Sequence, residues 1–149
     1  MASRSQKLRS QVAALPYRVD GEGRVSVLLV TSRETRRWVV PKGWPMKKRS
    51  AAEAAEIEAF EEAGVRGAIG KRRIGSYTYP KRFDSGTTVD CRVDVFPLRV
   101  KTELPEWPEQ DERNTAWFTP ESAASAVIEP ELSALILSFG REAPEKKPG

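Results

Sequence analysis

Two apolar runs near the start of the chain have the composition of β-strands. They are "QVAALPYRV", residues Gln11–Val19, and "RVSVLLVTS", residues Arg24–Ser32, both rich in β-branched and aliphatic side chains. The intervening "DGEG" has the residues of a tight turn, so the pattern predicts two strands joined by that turn. A shorter strand is predicted at the start of "RRWVVPKGW", residues Arg36–Trp44, which ends in a loop with proline and glycine.

A helical pattern begins at Ser50, where alanines and glutamates dominate the sequence. Ser50 and Glu53 have the spacing of a capping box, in which each residue hydrogen-bonds the backbone of the other. Gly64 is placed to end a helix, because glycine adopts the left-handed conformation that helix ends require. The sequence therefore predicts one helix from the capping box to Ala63.

The rest of the chain returns to strands and then to short helices. The predicted elements are strands at Arg72–Pro80 and Thr87–Val100, a short strand "NTAWFT", and helices at Pro120–Val127 and Pro130–Phe139. A basic loop, "KRFDSG", joins the two longer strands, and the polar loop "KTELPEWPEQDER" has a length typical of functional loops. This order predicts a mixed α/β or α+β fold, with one domain over residues 1–140 and a disordered tail over residues 141–149.

The composition narrows the class of protein. The chain has 149 residues, of which 39% are apolar and 31% charged, and no apolar run approaches the roughly 20 residues of a membrane span. Cys91 is its only cysteine and it has no histidine, which excludes an internal disulfide, histidine triads and histidine metal sites. The basic N-terminus is not followed by an apolar stretch, so we predict no secretory signal. The single cysteine fits a reducing compartment, and we predict a cytoplasmic location. The net charge of +4 is compatible with an anionic partner.

Three glutamates crowd the end of the predicted helix. Glu58, Glu61 and Glu62 fall within an arc of about 100°, and the helix has no lysine or arginine to relieve their repulsion. Ile57 and Phe60 lie roughly opposite them, so we expect these two side chains to pack into the core beside a flank of alanines. Two explanations are open for the glutamates: a solvated helix face, or a site for a hard divalent cation such as Mg²⁺.

The segment "GWPMKKRSAAEAAEIEAFEEAGV", residues 43–65, resembles the sequence box of the Nudix hydrolase family, G-x5-E-x7-R-E-U-x-E-E-x-G-U, in which U is aliphatic. The matching positions are Gly43, Glu58, Ala59, Glu61, Glu62, Gly64 and Val65. Arg49 replaces the first glutamate of the box, and Ile57 replaces its arginine. The flanking stretches "VLLVTSRETRRWVVPKGW" and "EQDERNTAWFTPESAA" resemble the diphosphoinositol polyphosphate phosphohydrolase branch, which also hydrolyses diadenosine polyphosphates.

The resemblance implies a Nudix-type α/β/α sandwich with a mixed central sheet, and an enzyme that hydrolyses a phosphoanhydride bond. In this pattern Glu58 and Glu62 would bind Mg²⁺ or Mn²⁺ together with the backbone carbonyl of Lys42, and Glu61 would be the general base. The metal would neutralise the bridged phosphates and lower the pKa of a bound water. Because Ile57 replaces an arginine that orients the glutamates in the family, a catalytically weakened domain that binds nucleotides stays an alternative.

The resemblance also predicts the substrate class, a polyphosphorylated small molecule that is either a dinucleoside polyphosphate or similar to a diphosphoinositol polyphosphate. Side chains that could hold its phosphates are Thr31, Ser32, Arg33, Arg37, Lys42, Lys81, Arg82 and Arg113. Removal of pyrophosphate from RNA 5′ ends is a second alternative, although no RNA-recognition motif is present and we do not expect a nucleic-acid partner. Trp44 and Trp107 lie in loops, where they either stack on a nucleobase or pack half-exposed. We predict no membrane partner, and the sequence indicates no oligomeric state.

Overall fold

The computed structural model describes residues 9–142, in which the chain forms eight strands and three helices. The strands are β1 (Arg9–Val19), β2 (Val25–Thr31), β3 (Trp38–Val39), β4 (Lys42–Gly43), β5 (Val65–Ile69), β6 (Gly75–Arg82), β7 (Thr88–Glu103) and β8 (Thr115–Phe118). The helices are α1 (Ala51–Ala63), α2 (Pro120–Ala126) and α3 (Pro130–Glu142). None of these helices is long and apolar enough to cross a membrane.

The eight described strands form one mixed sheet. Its main path runs β3-β2-β1-β7-β5, while β4 pairs with β1, β6 with β7 and β8 with β2. The central pair, β1 and β7, is parallel, with Arg9 opposite Cys91 at one end and Tyr17 opposite Arg99 at the other. The other pairs are antiparallel. Parallel neighbours need a long crossover connection, and here the crossover contains α1, β4 and β6, which border much of the cleft described below.

Alternate residues of β1 contribute to two cores on opposite faces of the sheet. Val12 and Ala14 belong to the core under α1, whereas Ala13 and Leu15 belong to the core under α2 and α3. This alternation follows from the two-residue period of a strand. The sheet is therefore covered by helices on both faces, and the predicted α+β sandwich with a mixed sheet is confirmed.

Helix α1 begins and ends where the sequence predicts. The Ser50 hydroxyl accepts a hydrogen bond from the Glu53 amide at 3.1 Å, and the Glu53 carboxylate accepts one from the Ser50 amide at 2.9 Å. Gly64 follows the last turn with φ 69°, a left-handed conformation that strongly favours glycine. The capping signals therefore fix both ends of the helix that carries the glutamates.

The prediction that Ile57 and Phe60 pack into the core is wrong. The helix packs on the sheet through its small side chains, which are Ala52, Ala54, Ala55, Ala59 and Ala63. Ile57 and Phe60 stay partly exposed, and the Arg66 guanidinium lies 4.2 Å from the centre of the Phe60 ring. Alanines allow the helix to approach the sheet closely, and burial of this face also buries Glu62, which is 5% exposed.

Element boundaries differ from the sequence expectation in several places. Strand β5 is not predicted because "VRGAI" is short and has a glycine at its centre, but its pairing with β7, with Val65 opposite Glu103, stabilises it as a strand. That pairing also extends β7 beyond the predicted end at Val100. Strand β6 begins at Gly75 rather than at Arg72. Helix α3 continues through Glu142, and the rest of the predicted tail, residues 143–149, lies outside the described residues.

Candidate active site

The C-terminal half of α1 borders a cleft of about 340 Å³ whose walls are mostly polar and charged. The lining residues are Gln11, Ser32, Arg33, Glu34, Val39, Lys42, Gly43, Trp44, Glu58, Glu62, Tyr79, Lys81, Glu109 and Arg113. They come from distant parts of the chain, because the sheet brings β1, β4 and β6 together beside α1. The cleft is therefore a product of the fold and not of any one segment.

Gly43 provides the space that the Glu58 carboxyl group occupies. A Cβ atom at position 43 would lie 2.1 Å from Glu58 Oε2 and 2.9 Å from Oε1. These distances are far below any van der Waals contact, so a side chain at this position would displace the carboxyl group. The position of the Glu58 carboxyl group thus depends on the absence of a side chain at position 43, which gives a physical reason for a glycine at the start of the box.

Glu58 and Glu62 are crowded carboxylates, of which Glu58 is half-buried and Glu62 is buried. Glu62 is buried, and burial raises its pKa to about 8, although the Arg113 guanidinium opposes this shift. Burial also raises the pKa of Glu58 to about 7, with the Glu61 and Glu109 carboxylates adding repulsion. A pKa raised by burial and by like charges indicates that the charged form lacks sufficient compensation in the protein alone.

Arg113 is the cation that approaches the buried carboxylates. Its guanidinium lies 3.6 Å from Glu62 Oε2 and 2.7 Å from Glu109 Oε1, and it donates a hydrogen bond to the Thr31 carbonyl at 3.1 Å. The Arg113 side chain is 10% exposed. Helix α1 has an isoleucine, Ile57, where the family box has arginine, and Arg113 brings a positive charge to the same carboxylates from the segment before β8.

Glu109 is a residue of the cleft that the sequence prediction missed. It lies in the segment between β7 and β8, and its backbone amide donates a hydrogen bond to the Glu61 carbonyl at 3.0 Å, which ties this segment to the end of α1. Its carboxylate lines the cleft together with Glu58 and Glu62. The long polar loop predicted here was a signal of function, but its sequence does not indicate which glutamate turns inward.

Glu61 differs from its two neighbours on the helix. It is partly exposed and is not among the residues that line the cleft. Its charge still acts on the site, since it contributes to the raised pKa of Glu58. The assignment of Glu61 as general base stays a prediction.

Most of the predicted phosphate ligands surround the cleft. Ser32, Arg33, Lys42, Lys81 and Arg113 line it directly. A neighbouring cavity of about 250 Å³ shares Ser32, Lys42 and Lys81 with the cleft, and its wall also includes two further predicted ligands, Arg37 and Arg82. The cleft therefore continues into a second cavity with a basic wall.

Not every predicted ligand presents its side chain to the cleft. Thr31 is buried, and its hydroxyl accepts a hydrogen bond from the Asn114 amide at 2.9 Å. Arg33 is paired with Glu112 at 2.8 Å, and Arg37 lies 3.5 Å from Glu129. Thr31 thus anchors the segment before β8. Arg33 and Arg37 line the cavities, but each is already paired with a glutamate.

The Lys42 ammonium group lies among charges of both signs. Burial lowers its pKa, while the nearby Glu62 and Glu129 carboxylates act in the opposite direction. Its Nζ atom is 5.0 Å from the centre of the Tyr79 ring. Lys42 therefore brings a positive charge to the wall of the cleft, beside Glu62.

The residues of the cleft fit a hard divalent cation. In residues 9–142 no three carboxylate or thiol groups converge closely enough to form a metal cluster by themselves. The half-buried Glu58 and the buried Glu62 are nevertheless close enough for each to act on the pKa of the other, and their raised pKa values indicate a need for positive charge. Mg²⁺ and Mn²⁺ accept such sites, because they are bound by one or two carboxylates together with waters and substrate phosphates.

The two loop tryptophans have different environments. Trp107 packs its ring on Gly64, where a Cβ atom would lie 2.3 Å from the indole, so it covers the end of α1. Trp44 instead lines the cleft and is 37% exposed. Packing therefore accounts for Trp107, while Trp44 is still available to a ligand.

Crowded glutamates at a helix end, beside a cleft with basic walls, are typical of proteins that act on phosphate compounds. Within that class, the family model of the NUDIX domain matches residues 7–137, so the chain belongs to the Nudix family. The predicted resemblance is confirmed. Members of this family generally use divalent metal ions.

Similar proteins include both plant and animal Nudix enzymes. "Nudix hydrolase 13, mitochondrial" of Arabidopsis thaliana is 35% identical over 111 residues, covering 70% of this chain and 54% of that protein. Diphosphoinositol polyphosphate phosphohydrolase 3-beta of Bos taurus is 32% identical, covering 77% and 66%. A binary complex of the C. elegans Ap4A hydrolase superposes with a TM-score of 0.66 at 20% identity, covering 90% and 96%, and shows the shared fold. The chain spans about half the length of the plant relative.

The predicted cytoplasmic location is contradicted by the curated relatives. Nudix hydrolases 13, 12, 18 and 16 of Arabidopsis thaliana are all named mitochondrial. The prediction was made from the single cysteine, which fits a reducing compartment but does not separate the compartments inside a cell. The cytoplasmic prediction was therefore not supported by the pattern from which it was made.

Proposed function

We propose that this protein is a metal-dependent pyrophosphohydrolase that cleaves a phosphoanhydride bond in a polyphosphorylated small molecule. The single observation that carries the proposal is the crowded pair of carboxylates, the half-buried Glu58 and the buried Glu62, beside Gly43 in a cleft with basic walls. A folded protein gains nothing from this repulsion alone. A divalent cation and a polyanionic substrate would together balance the charges of the site.

Each group has a role in this proposal. Glu58 and Glu62, with the backbone carbonyl of Lys42, would hold Mg²⁺ or Mn²⁺, which supplies charge neutralisation and an activated water when bound. The Lys42, Lys81 and Arg33 side chains would bind the outer phosphates, where fixed positive charge is worth most in a site that excludes water. The barrier for such a reaction is lowered mainly by position and charge.

Two carboxylates are candidates for the general base. Glu61 is the candidate given by the family pattern, and Glu109 is the candidate given by its place on the cleft wall. A base must lie within hydrogen-bond reach of the attacking water, directly or through one other water. Comparison of Glu61→Gln with Glu109→Gln distinguishes them, because the base variant should lower kcat about 100-fold or more with little change in KM.

The departures from the box do not favour a purely binding role. The arginine that Ile57 replaces would have neutralised the glutamates, and Arg113 lies 3.6 Å from Glu62 with a positive charge of its own. The site therefore keeps a cation beside its buried carboxylates. This supports an active enzyme over a weakened nucleotide-binding module.

The test is hydrolysis of a substrate panel: diadenosine tetra-, penta- and hexaphosphate, a diphosphoinositol polyphosphate, ADP-ribose and triphosphorylated RNA. Each is measured with Mg²⁺, with Mn²⁺ and with EDTA, for the wild type, Glu62→Gln and Glu56→Gln. Glu56 lies on the same helix but does not line the cleft, so it is the matched control. We expect metal-dependent release of products that is lost in Glu62→Gln and retained in Glu56→Gln. If every substrate is left intact by the wild type with either metal, the enzyme proposal is wrong.

A further inference from the structure

The segment between β7 and β8, residues 104–114, brings two charged groups to the cleft although it forms neither helix nor strand. Glu109 and Arg113 line the cleft, and the Arg113 guanidinium lies 3.6 Å from Glu62 Oε2. A loop has no ladder of backbone hydrogen bonds that would fix its path. The positions of these two side chains therefore depend on contacts between the 104–114 segment and the elements beside it.

One anchor of the 104–114 segment is its C-terminal end, which is bound to β2. The Thr31 amide donates a hydrogen bond to the Asn114 carbonyl at 3.0 Å, and the Asn114 amide donates one to the Thr31 hydroxyl at 2.9 Å. The Arg113 guanidinium donates to the Thr31 carbonyl at 3.1 Å. These bonds hold Arg113, but Glu109 lies earlier in the segment and needs a second anchor.

The second anchor is the Trp107 ring, which lies on Gly64 at the end of α1. A Cβ atom at position 64 would be 2.3 Å from Cδ2 and Cε3 of the indole and 2.8 Å from Cγ. The ring therefore approaches the glycine backbone more closely than any side chain at position 64 would permit. Beside it, the Leu104 amide donates to the Gly64 carbonyl at 2.8 Å. The segment is thus fixed to the helix that carries Glu58 and Glu62.

Trp107 is connected to Glu109 by a tight turn. The Gln110 amide donates to the Trp107 carbonyl at 3.2 Å, and the Gln110 side chain donates to the Pro105 carbonyl at 3.0 Å. Within this turn the Glu109 amide donates to the Glu61 carbonyl at 3.0 Å. The direction in which the Glu109 side chain leaves the backbone therefore depends on where the ring of Trp107 is held.

The indole nitrogen of Trp107 does not explain the position of the ring. Its Nε1 atom is buried and has no hydrogen-bond partner in residues 9–142. A buried donor without a partner costs free energy, so it is not what favours a tryptophan here. The flat apolar ring on the glycine is the contact that remains. A phenylalanine could make that contact as well.

We infer that Trp107 is a positioning residue, whose ring lies on Gly64 and holds the 104–114 segment against the end of α1 so that the Glu109 carboxylate faces the cleft. Trp107 does not line the cleft itself, so it acts through Glu109. Its effect on turnover rests on the proposed function, whereas its effect on the position of Glu109 does not. The glycine that ends the box then has a second use, because it leaves room for this ring.

The first test measures the position of Glu109 without metal or substrate. Exchange of the Glu109 amide hydrogen is followed by NMR, since this amide is bonded to the Glu61 carbonyl. We expect Trp107→Ala to accelerate the exchange about tenfold or more, and Trp107→Phe, which keeps a flat ring, to stay within about threefold of the wild type. The Ala54 amide, bonded to the Ser50 carbonyl in the first turn of α1, is the internal control and should be unchanged. Unchanged exchange of Glu109 in Trp107→Ala overturns the inference.

A milder variant keeps this test decisive if Trp107→Ala does not fold. Trp107→Leu retains apolar volume, but its branched side chain cannot lie flat on Gly64. Its Glu109 amide should exchange faster than that of Trp107→Phe. Equal exchange in the leucine and phenylalanine variants would show that a flat ring is not required.

The second test asks whether Trp107 acts on turnover through Glu109. If Glu109 is the general base, Trp107→Ala should lower kcat about tenfold or more, and Trp107→Phe should restore most of it. In the Glu109→Gln background, Trp107→Ala should change kcat by less than about twofold, because the group that it positions is already altered. Phe139→Ala is the matched control: it removes a half-buried ring that packs on Tyr17 on the other face of the sheet, and kcat should not change. Equal losses of kcat in the two backgrounds overturn the inference.

These outcomes are distinguishable from failure of the proposed function. If the wild type cleaves no substrate of the panel, the enzyme proposal is wrong, and exchange of the Glu109 amide still decides whether Trp107 holds the segment. Metal-dependent turnover with unchanged exchange in Trp107→Ala would do the reverse. It would retain the enzyme and remove the positioning role of Trp107.

Discussion

At the scale of single residues, the contact between Gly43 and Glu58 is the most demanding feature of the site. Glu58 is on α1 and Gly43 is on β4, and the carboxyl group lies where a Cβ atom would have to be. The glycine therefore affects the chemistry because it has no Cβ atom, which leaves room for the Glu58 carboxyl group. Its replacement should affect the site far more than the fold.

We predict that Gly43→Ala lowers kcat at least about 100-fold, since a 1 Å misplacement of a catalytic group can cost this much. The clash is with the end of a flexible side chain, so Glu58 can move away and the protein should still fold. Turnover and thermal unfolding are measured side by side. Gly21→Ala is the control, because a Cβ atom there has no neighbour within 4 Å. Full activity of Gly43→Ala would show that the position of Glu58 is not critical.

The raised pKa values of Glu58 and Glu62 predict how stability depends on pH without metal. Each carboxyl group has a pKa near 4.5 in the unfolded chain and about 7 or 8 in the folded protein, so the folded state holds protons that the unfolded state releases. The free energy of unfolding in EDTA should therefore fall as the pH rises from about 4.5 to about 8. Below that range both states are protonated and this contribution is constant.

The measurement is urea unfolding in EDTA at several values of pH across this range, for the wild type and Glu62→Gln. The substitution removes one of the two titrating groups, so the decrease in stability should be clearly smaller in the variant. Mg²⁺ should stabilise the wild type more at pH 8 than at pH 5, because it binds the ionised carboxylates. Identical pH profiles for the two proteins would mean that Glu62 is not held in a destabilised charged state.

At the scale of elements, α1 illustrates what sequence reasoning can and cannot recover. The ends of the helix follow from local chemistry, the capping box at Ser50 and the glycine at position 64, and both were predicted. The buried face was not, because helical periodicity gives the angle between residues but not the side that the sheet covers. Ile57 and Phe60 are the more hydrophobic side chains, yet close packing on the sheet selects the alanines.

The alanine face leads to a contrasting pair of substitutions. Ala59 is fully buried, so Ala59→Leu inserts methylene groups into a packed interface and should destabilise the protein by about 1–3 kcal/mol. It should also reduce activity, since the helix that carries Glu58 and Glu62 is pushed from the sheet. Ile57→Ala, at a partly exposed position, should cost less than about 1 kcal/mol. Chemical denaturation of both variants checks the prediction, and a larger loss for Ile57→Ala would restore the original assignment of the core face.

At the scale of the whole molecule, the site depends on contacts between segments far apart in the chain. The sequence box predicts Gly43, Glu58 and Glu62, because their spacing is local. It does not reveal Glu109, or the contact of Arg113 with Glu62, since these depend on where the segment before β8 crosses the end of α1. Strand β5 was missed for the same reason: its neighbour β7, and not its own composition, makes it a strand.

Arg113 contacts Glu62 of α1, Glu109 of the segment before β8 and the Thr31 carbonyl of β2. Its removal should therefore lower the stability of the whole domain. We predict that at pH 9, where Glu62 is ionised, Arg113→Met destabilises the metal-free protein by about 3 kcal/mol, because the buried Glu62 loses its nearby cation and Glu109 loses its ion pair. In the Glu62→Gln background the same substitution should cost distinctly less, since one of the two carboxylates is already neutral. The four proteins form a double-mutant cycle measured by urea unfolding. Equal costs in the two backgrounds would show that Arg113 and Glu62 do not interact.

The parallel pairing of β1 with β7 affects how the nascent chain folds on the ribosome. The paired residues are about 80 positions apart in the chain, and at roughly 5–20 residues per second the partner strand is synthesised several seconds after β1. During this delay the apolar side chains of β1 have no neighbour on that side. The nascent chain therefore cannot close its central sheet until β7 has emerged. The cleft is completed later, because Arg113 follows β7 in the chain. Closure of the sheet therefore follows the synthesis of β7, and β1 is the strand whose apolar side chains a chaperone has most time to meet before its parallel partner emerges.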